Sequence, residues 1–326
     1  MNDKIELHFK PDNFKIKPNN NLEYDTTYDK DGNLKRIKEY YNHLSADGNE
    51  KFNLDIDSRG LLLKCNPNKF SKHNFVTGGF LDYSKFKQVT ENIEQIINDE
   101  AGVELTFNKA SISRYDNSFD IQATNDYKKC KKVLKEICDG NTGAQRNAND
   151  FMIKDTLYYG NNSEKIVVYD KSKEIYGKKD YYSYLSEVPE NLIRFEHRRL
   201  KNKNNRRILF SSMNEQKYHT IRCASINNIN KRLFSVDVQA NKLGNYLFDA
   251  FNSDNVNLTE VRKHMTNIAI IQSDYNLSFL TLPRYHKNYQ KLNRFKQEQR
   301  KHIIMNSKLI SDIYNDIKNK FNLVTK

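Results

Sequence analysis

Short alternating strands around one helix constrain the fold of the middle of this chain most. Residues alternate between apolar and polar with the period of two that is typical of strands, in segments 103–121, 153–159, 164–170 and 192–200. A helical pattern covers 126–139, and a charged, tyrosine-rich, helix-like segment covers 171–186. The order strand, helix, strand, strand, helix, strand predicts an α+β fold, a ferredoxin-like antiparallel sheet built from split βαβ units.

The regions on either side of this core have different patterns. The N-terminal part has strand-like runs at 5–9 and 60–65, loops near 19–33 and 46–50, and a helix over 83–97 that Asp82 or Ser84 would cap. These patterns predict a strand-rich N-terminal module. Apolar residues at helical spacing over 213–251, 258–272 and 285–315 predict a helical C-terminal region. We therefore expect an N-terminal module over 1–105, a catalytic core over 106–212 and a helical region over 213–326 that is a possible DNA-binding region.

The charge of the chain points to a polyanionic partner. Lys and Arg number 54 against 41 Asp and Glu, a net charge of +13, and nucleic acid is the commonest partner for such a surface. A solvated, lysine-rich surface is the alternative. No stretch of about 18 apolar residues is present, so we expect no membrane-spanning helix and no membrane partner. The four cysteines lack C-x-x-C spacing, which argues against a disulfide framework or a structural zinc site, and the expected location is the cytoplasm.

Alternation places a set of chemically active side chains on one face of the predicted sheet. In the ferredoxin-like order 4-1-3-2 the first strand lies between the fourth and the third, so their same-face residues come together. Apolar residues such as Ile193 and Phe195 point to the opposite face. The polar face collects, from the three strands, Arg114 and Asp116 (with Ile112 and Ser118), Tyr169 and Lys171, and Arg194, Glu196 and Arg198.

This collection suggests phosphodiester chemistry. Two carboxylates, Asp116 and Glu196, suit a hard divalent cation such as Mg²⁺ or Mn²⁺. The Tyr169 phenol becomes a nucleophile when nearby cations favour its phenoxide, and Lys171 and the arginines would supply that charge and bind phosphate. The alternative is structural: the two carboxylates would form ordinary cross-strand ion pairs with the arginines, and Tyr169 would be one packing tyrosine among 20.

Three motifs in this region resemble the replication initiators of filamentous phages, the gene II protein family. SISRYDNSF at 111–119 is similar to the family's S-R-x-D strand, VVYDKSKE at 167–174 to its Y-x-K-x-x-E segment, and LIRFEHRRLK at 192–201 to its R-F-E-x-R strand. Weaker likeness extends over nearly the whole chain. The pattern is also similar to plasmid initiators of the Rep_trans class and to conjugative relaxases. No His-x-His pair occurs here, which favours the phage and Rep_trans groups because they lack it too.

The resemblance implies a rolling-circle replication initiator, a metal-dependent enzyme that nicks and rejoins one strand of origin DNA through a 5′-phosphotyrosine. It implies that Tyr169 is the nucleophile, that Lys171 and Glu174 belong to its motif, and that Asp116 and Glu196 bind Mg²⁺ or Mn²⁺, with a third metal ligand unidentified. To these we add phosphate contacts from the site arginines, Arg114, Arg194 and Arg198.

The implied partners are origin DNA, duplex or supercoiled with a single-stranded nick region, and the helicase and polymerase of a bacterial host, in whose cytoplasm the protein would act. Two alternatives stay open on the sequence alone. One is a conjugative relaxase with the same chemistry, and the other is a non-catalytic DNA-binding regulator on the same scaffold.

Overall fold

The structure is a computed structural model, and it describes thirteen stretches of the chain. These are residues 4–31, 34–45, 51–70, 81–138, 141–142, 156–160, 163–177, 189–200, 208–235, 259, 289–290, 294 and 308–325. Of the predicted helical spans, 258–272 lies outside the described residues except for residue 259, whereas 308–315 of the span 285–315 is described and helical. Most of 171–186 and the start of the predicted strand 153–159 also lie outside the described residues.

Thirteen strands and six α-helices have bounds within the described residues, and residues 259, 289–290 and 294 are helical as well. The strands are β1 Lys4–Phe9, β2 Phe14–Ile16, β3 Glu23–Tyr28, β4 Leu34–Leu44, β5 Lys51–Asp57, β6 Gly60–Cys65, β7 Val103–Leu105, β8 Ser111–Gln122, β9 Asn141–Thr142, β10 Leu157–Gly160, β11 Glu164–Asp170, β12 Leu192–Leu200 and β13 Ile208–Leu209. The helices are α1 Pro67–Phe70, α2 Tyr83–Ile96, α3 Tyr127–Cys138, α4 Lys171–Tyr176, α5 Glu215–Ile229 and α6 Lys308–Thr325.

Within this described part, eleven strands join in one antiparallel sheet. The order of neighbours is β3-β4-β5-β6-β1-β8-β12-β11-β10-β9, and β13 also pairs with β8. The strands of the predicted N-terminal module and those of the predicted catalytic core therefore share a single sheet, joined where β1 pairs with β8. The remaining two strands, β2 and β7, pair with each other.

Helices α2, α3, α5 and α6 pack on one face of this sheet because its strands bury alternate residues there. Ile5, Leu7 and Phe9 of β1 are buried in one apolar cluster with residues of α2 such as Phe86. A second cluster joins β8, β11 and β12 to α3 and α6, and it includes Phe195. The opposite face of the central strands carries polar and charged residues, so the sheet separates an apolar core from a polar surface.

The prediction of an α+β antiparallel sheet is confirmed, but the predicted strand order is wrong. The strands predicted as first to fourth are β8, β10, β11 and β12, and the fourth lies between the first and the third. Asp170 at the end of β11 pairs with Ile193 near the start of β12, so the chain re-enters the sheet at the end where it left. β12 is antiparallel to both β11 and β8, so each of its edges forms an antiparallel ladder. The predicted order would instead pair β8 with β11, which run parallel to each other, and parallel pairing is slightly less stable per residue.

A β-bulge at Ser113 corrects the prediction for the start of β8. Glu6 pairs with Arg114 and Leu7 with Ile112, so Ser113 is an extra residue, and its hydroxyl donates to the Glu6 carbonyl at 3.1 Å. Because of the bulge the Ile112 side chain points into the apolar core. Regular alternation along the strand would have placed it on the polar face with Arg114. Arg114 keeps its predicted position on the polar face.

Helix ends follow the local signals in the sequence. The Asp82 carboxylate accepts the backbone N–H of Lys85 at 2.8 Å, so Asp82 is the N-cap of α2. A wide turn, Ile97–Ala101, prolongs α2 and ends at Gly102, whose φ of 70° is left-handed. The Asp126 carboxylate likewise accepts the backbone N–H of Lys129 at the start of α3.

Several strands escaped prediction or were shorter than predicted. β3 lies in a segment predicted as loop, and all six of its residues are exposed, so it has no apolar alternation to reveal it. The predicted strand 103–121 is interrupted by a turn at Phe107–Lys109, which separates β7 from β8. None of the helices in the described ranges combines the length and the apolar character needed to cross a bilayer.

Candidate active site

All eight side chains that were predicted to act together line one cavity of about 570 Å³ on the polar face of the sheet. They are Arg114 and Asp116 of β8, Tyr169 of β11, Lys171 and Glu174 of α4, and Arg194, Glu196 and Arg198 of β12. Strand register explains the meeting, because Arg198 lies opposite Asp116 and Arg194 lies opposite Tyr169. The wrong strand order did not separate them, since β8, β12 and β11 remain consecutive neighbours. Their chemical roles stay predictions.

Tyr169 stands where a strand passes into a helix. It is half-buried and belongs to the last pair of residues of β11. The carboxylate of the next residue, Asp170, accepts the N–H of Lys173 at 2.8 Å and so caps α4. This cap fixes the first turn of α4, where Lys171 donates to Glu174 at 2.7 Å. The tyrosine, lysine and glutamate of one motif therefore reach the cavity from a single, locally stabilised turn.

The two predicted metal ligands are deeply placed and held by arginines. Asp116 is 2% exposed and Glu196 is 3% exposed. The Arg114 guanidinium bonds Asp116 through two nitrogens, at 2.9 and 2.6 Å. Arg198 bonds Glu196 and also approaches Asp116, with 3.8 Å between its Nε and Oδ2 of Asp116. The arginines and carboxylates thus form the ion pairs that the structural alternative expects, while still lining the cavity.

The Arg198 guanidinium interacts electrostatically both with the predicted nucleophile and with the predicted metal ligands. Burial lowers the pKa of its guanidinium, but the carboxylates of Glu196 and Asp116 outweigh burial and raise that pKa overall. The phenolic group of Tyr169 adds to the upward shift in the pKa of Arg198, so these two side chains interact electrostatically. Arg198 therefore remains a fixed positive charge beside the phenol.

Sequence reasoning missed Asp120, the partner of Arg194. The Asp120 carboxylate accepts two bonds from the Arg194 guanidinium, both at 2.7 Å, and both side chains are buried. Arg194 is therefore a structural cation as well as a cavity residue. A signal was present: Asp120 follows Asp116 by four residues, which in a strand places both on the same face.

The sequence also missed the four lysines that the N-terminal half of the sheet adds to the cavity. They are Lys4, Lys51, Lys64 and Lys69. These residues lie far from the motifs along the chain, and only the pairing of β1 with β8 brings them close. With them, eight basic and three acidic side chains surround the cavity.

A buried polar cluster lies on the other face of the sheet, directly behind the carboxylates. His197 faces away from Glu196 as alternation predicts, and its ring bonds Ser225 of α5 at 2.9 Å and Glu164 at 3.1 Å. Asn117, the residue opposite His197, also donates to Ser225, at 2.7 Å. One hydroxyl therefore ties both strands to α5 immediately behind Asp116 and Glu196. Burial lowers the pKa of His197, which favours its neutral form.

The chemistry of the donors fits a hard divalent cation. Asp116 and Glu196 present two buried carboxylates to one cavity, and Mg²⁺ is typically bound by one or two carboxylates with water and phosphate oxygens completing its shell. No group of three His, Cys, Asp or Glu residues suited to a metal is found in the ranges that the structure describes. The ion pairs with Arg114 and Arg198 would have to loosen for such a cation to bind.

A cavity with this excess of cations is typical of proteins that bind polyanions, most commonly nucleic acids. The family comparison makes the class specific. A family model described as the N-terminal part of a phage replication-associated protein matches residues 4–219, and the chain belongs to this family, that of the filamentous-phage gene II replication initiators. All eight predicted site residues lie inside the match. Among curated proteins, none matches the chain significantly.

Proposed function

We propose that this replication initiator nicks one strand of its origin DNA by attack of Tyr169 and later rejoins it, as in rolling-circle replication. The observation that carries the proposal is the shared cavity: the Tyr169 phenol, the two buried carboxylates and the arginines meet there although they come from three different strands. Origin DNA is the partner that the family implies.

The reaction exchanges one phosphodiester bond for another. The phenoxide oxygen of Tyr169 attacks the scissile phosphorus, the bond from phosphorus to the 3′ oxygen breaks, and that oxygen takes up a proton to become a free 3′-OH. The 5′ phosphate stays on tyrosine as a phosphodiester. Attack by a 3′-OH on this phosphotyrosine reverses the step, so rejoining needs no ATP. In the meantime the free 3′-OH serves the host polymerase, while a host helicase separates the strands.

The residues around Tyr169 have distinct tasks in this scheme. A cation beside a phenol favours its phenoxide, and Arg198 is the charge that interacts with Tyr169. Lys171, held by Glu174, and the three arginines bind and neutralise the phosphate. Asp116 and Glu196 would hold Mg²⁺ or Mn²⁺, which when bound polarises the phosphodiester as a Lewis acid.

We predict that Arg198→Gln tightens metal binding severalfold while weakening DNA binding. Arg198 bonds Glu196 and approaches Asp116. Removing its charge therefore frees Glu196, leaves Asp116 paired with Arg114, and removes a competing cation and a contact for phosphate. Free Mn²⁺ measured by electron paramagnetic resonance gives the metal affinity. Arg199→Gln is the matched control, because Arg199 lies one residue on and contacts Tyr115 instead. Unchanged or weaker Mn²⁺ binding in Arg198→Gln would contradict the competition.

The proposal is tested with supercoiled DNA from the protein's own replicon. With Mn²⁺ we expect open circles and a covalent protein–DNA adduct, and with EDTA neither. Digestion of the adduct with trypsin and nuclease, followed by mass spectrometry, should place a nucleotide on the peptide that contains Tyr169. A nucleotide on another residue would overturn the assignment of the nucleophile. Binding without cleavage would favour the non-catalytic regulator.

A further inference from the structure

The polar face does not end at the candidate active site but continues across the N-terminal strands. Register places residues of neighbouring strands in one cross-strand row that starts at Arg114 of β8. The row runs through Arg114, Glu6, Lys64, Asn53 and Asn42, on β8, β1, β6, β5 and β4. Residues directly opposite one another on neighbouring strands share a face, so this is one continuous polar surface.

The cavity follows this surface. Besides the eight predicted site residues, its lining includes Lys4, Lys51, Asn53, Lys64, Asn66 and Lys69, from β1, β5, β6 and the start of α1. Neighbouring strands are about 4.8 Å apart, so the five steps from β11 to β5 extend the surface about 24 Å from the strand that carries Tyr169. We define the groove as this N-terminal part of the cavity, lined by those six residues.

The groove carries a net positive charge. Four of its six lining residues are lysines and none is acidic. Acids beside it neutralise part of this charge, since Lys64 bonds Asp55 at 2.7 Å and Lys4 pairs with Glu6 at 3.2 Å. Lys51 is exposed at the rim. Positive charge also dominates at the border with the active site, where burial and then the cations Arg198 and Arg114 lower the pKa of Lys165.

We propose that the groove binds the single-stranded DNA that flanks the scissile phosphate. This inference rests on the proposed function, which places that phosphate at Tyr169. The whole cavity, about 570 Å³, has the volume of a small-molecule site, which is too small for a duplex but can admit part of a single strand that passes along the surface. Lysines donate to phosphate oxygens, and the amides of Asn53 and Asn66 can both donate to and accept from base edges. The N-terminal half of the sheet is therefore part of the DNA-binding site.

The test uses the double variant Lys51→Gln/Lys69→Gln. It is made in a Tyr169→Phe background so that no DNA is cut, and binding of labelled origin oligonucleotides is measured by anisotropy over a range of salt. For a strand of about 12 nucleotides we expect affinity to fall about tenfold at 0.1 M salt and the salt slope to fall by about 1.4, since each phosphate contact on a single strand contributes about 0.7. For a strand of about 4 nucleotides centred on the nick site we expect little change.

Lys87→Gln/Lys132→Gln is the matched control. It removes the same charge from exposed positions on α2 and α3, the helices on the apolar side of the sheet, and should leave both affinities unchanged. An equal loss of affinity in this control, or an unchanged salt slope in the Lys51/Lys69 variant, would contradict the proposal that the groove binds DNA. Equal loss for duplex of the same sequence would overturn its assignment to a single strand.

The groove and the proposed function can fail separately. If the protein with Tyr169 intact nicks origin DNA but the Lys51/Lys69 variant binds normally, the groove is wrong and the chemistry stands. If the protein with Tyr169 intact binds DNA through the groove but does not nick it, the proposed nicking reaction is wrong and the proposed role of the groove stands.

Discussion

Tyr169→Phe is expected to abolish nicking of origin DNA, with a loss of at least about 10⁴-fold in rate, and to abolish the covalent adduct. The substitution removes one oxygen, which is the atom proposed to attack phosphorus, and leaves the ring that packs at the end of β11. DNA affinity and thermal stability should therefore be unchanged. Conversion of supercoiled DNA to open circles and adducts that survive SDS give the two readouts.

Tyr176→Phe supplies the matched control for this experiment. Tyr176 lies seven residues further on, at the end of α4, and is 56% exposed, so the same chemical change is made close by on a side chain at the surface. Nicking should continue at the normal rate in this variant. Persistent nicking in Tyr169→Phe, or its loss in Tyr176→Phe, would move the nucleophile away from Tyr169.

The composition of the candidate site could be predicted because it depends on a local rule. In a strand the side chains alternate, so Arg194, Glu196 and Arg198 share a face whatever the neighbouring strands are. The buried Ile193 and Phe195 then decide which face is polar. This is why a wrong strand order left the set of residues intact.

The remaining features depend on distances and connections that a single strand pattern does not contain. The position of β12 between β8 and β11 follows from which strand edges pair, and the orientation of Ile112 follows from one extra residue at Ser113. The lysines of the groove reach the cavity only because β1, at the start of the chain, pairs with β8 more than a hundred residues later. No period in the sequence encodes such a pairing.

Asp120→Asn is expected to destabilise the protein by about 3–5 kcal/mol, the usual cost of breaking one side of a buried ion pair. The change leaves the buried guanidinium of Arg194 without its carboxylate. Chemical denaturation monitored by circular dichroism measures the loss. Asp57→Asn is the matched control, because Asp57 also binds an arginine through two nitrogens, but Arg59 is 77% exposed and such pairs contribute at most about 1 kcal/mol. Equal effects in the two variants would show that Asp120 does not neutralise a buried charge.

Combining Asp120→Asn with Arg194→Gln separates the two roles of Arg194. Removing both charges leaves no unpaired ion in the core, so the double variant should recover much of the stability that Asp120→Asn loses. If Arg194 also contacts the phosphate, nicking and DNA affinity should remain low in this stable protein, since no guanidinium faces Tyr169 across the strand pair. Recovery of nicking together with stability would instead make Arg194 purely structural, leaving Arg114, Arg198 and Lys171 to bind the phosphate.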